Sequence, residues 1–269
     1  MTAFADSSLL RRGSASGRRS SAPLRVTVVV PTRNEAENLP HVLPRIPSWV
    51  DEIILVDGHS TDNTIEVARQ LIPDIQVIMQ TGKGKGNALR AGFAAATGDI
   101  IVMIDADGST DPEEMGMFVR YLRSGADFVK GSRFLQGAGT SDMTGLRMWG
   151  NKGLTMLVNL LFGGRYSDLC YGYNAFWRDV LPVLQLDADG FEIETLMNIR
   201  ALRAHLNVME VHSFEADRIH GQSNLRTFPD GWRVLKTIIR ERLRGQPRLM
   251  PAAKAIPAMP RLSGKPSES

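Results

Sequence analysis

The chain has 269 residues, 43% of them hydrophobic and 23% charged, enough for one large or two small globular units. Its formal charge is +3, but residues 1–25 carry +4 and residues 246–269 carry +3, which leaves residues 26–245 at −4 and argues against a dedicated nucleic-acid groove. A single cysteine, Cys170, excludes an intrachain disulfide and a cysteine-rich zinc site, and fits a reducing, cytoplasmic setting.

Taken in order, residues 1–23 and 246–269 are aperiodic, rich in small residues and prolines, and read as disordered tails. Leu9-Leu10 is too short for a signal peptide, and no stretch reaches the ~18 apolar residues of a membrane span. The expected folded unit is residues 24–245. Its first half, 24–123, alternates β-branched runs with helix-like segments: Val26–Val30, Ile53–Asp57, Ile75–Met79 and Ile100–Ile104 against roughly 35–46, 62–72, 84–96 and 112–123. That alternation predicts an α/β fold with a parallel sheet, helices on both faces and a nucleotide-binding half. A second half of different texture follows at 124–228, with strands near 127–130 and 207–212 and helices near 146–162 and 191–205; an amphipathic helix closes the unit at 229–245.

Ligands in open α/β sheets bind where strands end. After the first strand stand Pro31, Thr32, Arg33, Asn34 and Glu35; after the second, Asp57; after the fourth, Asp105, Ala106 and Asp107. Asp62 and Asp111 read as helix caps, but Asp57, Asp105 and Asp107 precede any helix. Two carboxylates spaced as Asp105 and Asp107 are suit a hard ion, Mg2+ or Mn2+, bridging a diphosphate. With no His or Cys beside them, zinc is a poor choice. Gly82-Lys83-Gly84-Lys85-Gly86 is neither a P-loop nor a dinucleotide fingerprint; its lysines either approach a phosphate or sugar or belong to a flexible loop.

Five segments in order, Val29–Asn38, Val56–Thr64, Lys83–Ala88, Asp105–Asp107 and Gly131–Phe134, resemble family-2 glycosyltransferases of the GT-A fold. The likeness is to the dolichyl-phosphate mannose synthase and polyprenyl-phosphate glycosyltransferase branch, over roughly residues 26–226, and implies a mixed, mainly parallel sheet with an acceptor half at 124–228. It implies that Pro31, Arg33, Glu35 and Asp57 hold the nucleotide, and that Asp105 and Asp107 hold metal and diphosphate, with Ser109 where the family commonly has a Gln ligand. Arg133 and Arg147 correspond to cations that handle the acceptor phosphate; Asn151 stands where a Ser is usual. Arg218–Leu225 resembles the loop that closes over donor phosphates, with Arg218 and Ser223 kept and Asn224 in place of a Lys.

The resemblance implies inverting, metal-dependent transfer of a hexose from a UDP- or GDP-sugar to a polyprenyl phosphate at the cytoplasmic membrane face. A phosphate monoester is already a nucleophile at neutral pH and asks for arginines, whereas an alcohol asks for a base. Asp168 is the candidate base for a hydroxyl acceptor, or a ligand for sugar hydroxyls. Two other readings stand beside this one: Ile104–Ser109 also looks like a haloacid-dehalogenase phosphatase signature, and a non-catalytic nucleotide-sugar binder would fit if the departures at Ser109 and Asn224 abolish turnover. Glu192 and Glu194 fall at a helix start, where the dipole favours carboxylates whatever the function. Trp232, Leu235, Ile239 and Leu243 form a helical stripe among Arg233, Lys236, Arg240, Arg242 and Arg244, suited either to a lipid surface or to packing on the domain, and Leu146–Phe162 is similarly open.

Overall fold

Val26–Thr32 (β1) leads into a short helix, Leu39–Val42 (α1), then Glu52–Asp57 (β2), Thr64–Leu71 (α2), Gln76–Met79 (β3), Lys85–Ala95 (α3) and Ile100–Met103 (β4). Met115–Arg123 (α4), Phe128–Ser132 (β5), Gly139–Thr140 (β6) and Gly145–Phe162 (α5) follow. Asn174–Trp177 (β7), Leu181–Leu184 (α6), Glu192–Arg203 (α7), Val208–His212 (β8), Phe214–Glu215 (β9) and Thr227–Leu243 (α8) complete the order. The computed structural model describes residues 23–245, so the expected tails lie, Pro23 apart, outside the described residues.

The sheet runs β3-β2-β1-β4-β7-β5-β8. β1 and β4 sit at its centre because nearly every side chain on both of their faces is apolar and buried; β3, with exposed Gln76 and Met79, makes an edge. All pairings in this sheet are parallel except those of β7, which runs antiparallel between β4 and β5. The aromatic Asn174–Trp177 segment was no expected strand; Phe176 stacks on Phe128 at 5.7 Å and meets Phe93 edge-on at 5.2 Å, so tertiary packing fixes it in the sheet.

The expected helix over 35–46 is shorter, because Pro40 and Pro44 remove backbone donors and reduce it to α1 and a 3-10 turn at Leu43–Arg45. α5 starts at Thr144, whose hydroxyl accepts from the Arg147 amide, and stops at Gly163 in the left-handed conformation.

α5, α7 and α8 share a second small core of Val158, Tyr166, Leu169, Ile199, Val234 and Ile238. α8 does not pack through the stripe its sequence suggests. Asp230, Val234, Thr237, Ile238 and Glu241 turn inward, and Glu241 receives Arg200 and Arg203 of α7 at 2.9 and 3.0 Å. Removing either side of that buried ion cluster would leave an unpaired charge, which sets the rotation of the helix and sends Trp232, Ile239 and Leu243 to solvent.

Candidate active site

The loops after β1 and β2 are stitched together over the sheet edge. Asn34 and His59 adopt positive φ of 56° and 61°; Asn34 Oδ1 accepts the Thr61 amide at 2.7 Å, and the Asn34 amide donates to Ser60 Oγ at 2.9 Å. This edge forms the floor of a cavity of about 710 Å³, large enough for a nucleotide sugar. Pro31, Arg33, Glu35, Asp105, Asp107 and Ser109 line its donor side, Arg133 and Arg147 the opposite wall, and Arg218 and Ser223 the loop across the mouth. Asp57 and Asp168, also expected in the site, are fully buried behind it.

Asp57 is a brace: its carboxylate accepts the Ser60 amide at 2.9 Å and the Ser60 hydroxyl at 2.6 Å, shaping the loop beneath Gly58. Each donor-side carboxylate holds a cation. Asp107 takes Arg218 at 3.2 Å, and the other fork of Arg218 reaches Glu35. Burial pushes the Glu35 carboxyl above its usual range despite the bonds from Arg218 and Asn38. Ser109, expected beside the metal, donates from Oγ to Asp107 Oδ1 at 2.7 Å, so its hydroxyl supports that carboxylate.

Lys85, at the start of α3, sits 2.6 Å from both Asp105 and Glu194. Burial opposes its charge, but these two carboxylates hold its ammonium proton above the usual lysine range. Burial raises the Glu194 carboxyl against the pull of Lys85. The Gly-Lys repeat is no floppy loop. A Cβ at Gly84, where φ is +96°, would stand 2.3 Å from the Asp189 carbonyl, so glycine lets α3 start against that segment. At Gly172 a Cβ would lie 2.7 Å from Asp105 Oδ2 and 2.8 Å from Lys85 Nζ, so a larger residue there would displace these side-chain ends.

On the acceptor wall, Arg133 donates through Nε and one terminal nitrogen to Asp168 at 2.7 and 2.9 Å, and through the other to Glu215 at 3.0 Å. Asn151 donates to Asp168 as well, at 2.8 Å. Although burial opposes it, the Arg133 bonds and charge, with Lys130 behind, hold the Asp168 carboxyl below its usual range. A sequestered, paired carboxylate has no free lone pair for an acceptor hydroxyl, which corrects the reading of Asp168 as a base. Arg133, expected to handle the acceptor phosphate, lines the cavity with its guanidinium engaged in this cluster. Arg147 is not so engaged: it donates to Thr227 Oγ1 at 3.3 Å and the Leu225 carbonyl at 3.2 Å, and no carboxylate pairs with it among the described residues.

Sequence reasoning did not find Glu215, which arrives from the two-residue β9, or buried Lys130, whose ammonium donates to the Tyr171 carbonyl at 3.1 Å. Glu194 was assigned as much to helix chemistry as to function, and only the fold brings Lys85 to it. Cys170 lines the cavity, but burial pushes its thiol up to about 12, so it is no thiolate nucleophile.

The model of glycosyl transferase family 2 matches residues 27–184. The chain belongs to that family. A dolichol-phosphate mannosyltransferase of Pyrococcus furiosus is 31% identical over 76% of this chain, which spans 60% of that protein's length. A polyprenol monophosphomannose synthase of Mycolicibacterium smegmatis is 32% identical, over 75% of this chain and 81% of its own. Among solved structures, glucosyl-3-phosphoglycerate synthase from Mycobacterium tuberculosis, in complex with Mn2+, UDP and glucosyl-3-phosphoglycerate, superposes with a TM-score of 0.63 at 24% identity, covering 81% of this chain and 80% of that one. The chain thus has the GT-A fold with a family-2 glycosyltransferase domain, and the phosphatase reading of Ile104–Ser109 falls. Among the described residues, no helix is long and apolar enough to cross a membrane.

Asp105 and Asp107 suit a divalent ion. Their donors are hard oxygens, and no third acidic, His or Cys side chain joins them among the described residues, so a diphosphate and water would complete the coordination. Lys85 and Arg218 each hold one of these carboxylates, Asp105 and Asp107 respectively.

Proposed function

We propose that this family-2 enzyme transfers a hexose from a UDP- or GDP-sugar to a polyprenyl phosphate at the cytoplasmic face of the membrane, inverting the anomeric carbon. The observation that carries the reading is the contrast on the acceptor wall. Buried Glu194 is tied to Lys85 and half-buried Glu215 to Arg133, while the Arg147 guanidinium faces the cavity with no carboxylate partner among the described residues. Such a wall attracts a phosphate better than it deprotonates an alcohol. The Pyrococcus and Mycolicibacterium relatives, a dolichol-phosphate mannosyltransferase and a polyprenol monophosphomannose synthase, support the same acceptor class.

In this mechanism Pro31, Arg33 and Glu35 receive the nucleotide, above the loop that Asp57 braces. Asp105 and Asp107 would hold Mg2+ or Mn2+, which when bound stabilises charge on the departing diphosphate. Arg218 and Ser223 close over the donor phosphates, and Arg147 orients the acceptor phosphate. An acceptor oxygen bonds to the anomeric carbon as the bond to the diphosphate oxygen breaks; the nucleoside diphosphate leaves with the electron pair, and no proton has to move. Arg133, Asp168 and Glu215 act by keeping the wall in shape. The test is incubation of UDP- and GDP-hexoses with a polyprenyl phosphate and Mn2+. The expected result is a hexosyl lipid phosphate, abolished by chelator; unchanged transfer in excess chelator would remove the metal from the account.

A further inference from the structure

Thirteen large apolar side chains are exposed among the described residues, and eight of them lie on two helices. α5 exposes Leu146, Trp149, Met156 and Leu160, and α8 exposes Phe228, Trp232, Ile239 and Leu243. On each helix these positions repeat at helical spacing. The opposite stripes enter the small core both helices share with α7, and α5 packs on α8, which sets the outward stripes side by side.

The exposed charges of these two helices are basic. Lys152, Lys236 and Arg242 have no carboxylate partner among the described residues, Arg233 pairs with Asp230 and Arg240 with half-exposed Asp187, and Asp230 and Glu241, the acidic residues of these helices, are buried and ion-paired. The exposed tryptophan of each of these two helices has a lysine over its ring: Lys152 stands 5.8 Å from Trp149 and Lys236 stands 5.5 Å from Trp232. An indole with an ammonium beside it suits the boundary between acyl chains and headgroups, the ring entering while the charge meets lipid phosphate. A second copy of the chain would bring like charge against like charge across this face, and an acidic protein partner would leave the apolar stripes without a matching surface.

We infer that the face formed by α5 and α8 docks on an anionic lipid bilayer. The cavity reaches the same two helices, since Leu146, Gly150 and Leu154 of α5 and Gly231 and Val234 of α8 line it together with Arg147. A docked chain therefore opens its acceptor wall beside the lipid, with Arg147 close to headgroup level. This deepens the lipid-acceptor reading and rests on it for its purpose; the docking itself is tested apart from it.

The test is flotation of the full chain with phosphatidylglycerol–phosphatidylcholine vesicles at low salt. Wild type floats, and Trp149→Ser/Trp232→Ser and Lys152→Gln/Lys236→Gln each lose about tenfold or more in apparent affinity. These exposed positions lie outside the reacting groups, so both variants keep transfer to a short, water-soluble isoprenyl phosphate within about twofold. Absence of wild-type flotation overturns the docking face. So does wild-type-like flotation of both variants, which would assign binding to the basic segments at the chain ends. A concentration-dependent dimer dissolved by the tryptophan substitutions would assign the face to a second copy and overturn it as well. If wild type floats but transfers no hexose to the soluble phosphate, the acceptor reading fails and the docking surface stands.

Discussion

The donor wall takes its carboxylates from two short stretches, Glu35 just beyond β1 and the pair Asp105 and Asp107 just beyond β4, and holds them with two cations drawn from elsewhere, Lys85 and Arg218. The acceptor wall is assembled the other way. Arg133 leaves β5, Asp168 comes from the loop before β7, Glu215 from β9 and Asn151 from the middle of α5, and they meet only in the folded chain. The donor side thus joins two strand-end motifs with borrowed counter-ions. The acceptor side is an ion cluster whose bonds are already complete, which under the proposed function leaves Arg147 to meet the substrate.

If that difference is right, the largest effect on stability lies on the acceptor wall. Asp168→Ala strands the Arg133 guanidinium beside one carboxylate and should cost about 3–5 kcal/mol in denaturant unfolding. Asp107→Asn should leave unfolding nearly unchanged and lower kcat/KM by about a hundredfold, because it removes charge where the leaving group develops it. A stable, inactive Asp168→Ala and an unfolded Asp107→Asn would exchange the two walls' roles. Arg147→Ala should raise the KM for the lipid phosphate about tenfold and leave nucleotide binding intact, as loss of one charge-assisted contact requires. Gly172→Ala, which pushes a methyl against Asp105 and Lys85, should weaken donor binding several-fold without loss of fold, measured by calorimetry with UDP and GDP.

A smaller effect is read with pH. The Asp168 carboxyl titrates below its usual value in the folded chain, so its contribution to stability is complete above about pH 4, where the unfolded carboxyl is ionised, and is lost as pH falls through the lower folded value. Asp168→Asn should therefore differ most from wild type at neutral pH and converge with it on acidification, followed by urea unfolding at each pH.

Legibility in the sequence follows the same division. Buried parallel strands must be apolar on both faces, so β1, β2 and β4 stand out as β-branched runs, and the residues after them carry the donor site in sequence order. Asp57 was placed at the right edge but one layer too shallow, because the spacing of Asp57 and Ser60 does not tell whether the carboxylate faces a ligand or its own loop. Arg133 and Asp168 were both singled out, yet the bond between them spans 35 positions and changes the role of each. Periodicity found the stripe on α8 but not its direction, since the paired Glu241 outweighs exposed Trp232 in choosing which side is buried.

The central claim is that the acceptor brings its own nucleophile as a phosphate. It is tested most directly by initial rates of hexose transfer to a polyprenyl phosphate and to the matching free polyprenol, under the same donor and metal concentrations. The account predicts transfer to the phosphate and none above background to the alcohol, in wild type and in any Asp168→Asn protein that remains folded. Transfer to the alcohol alone, lost in Asp168→Asn, would contradict it.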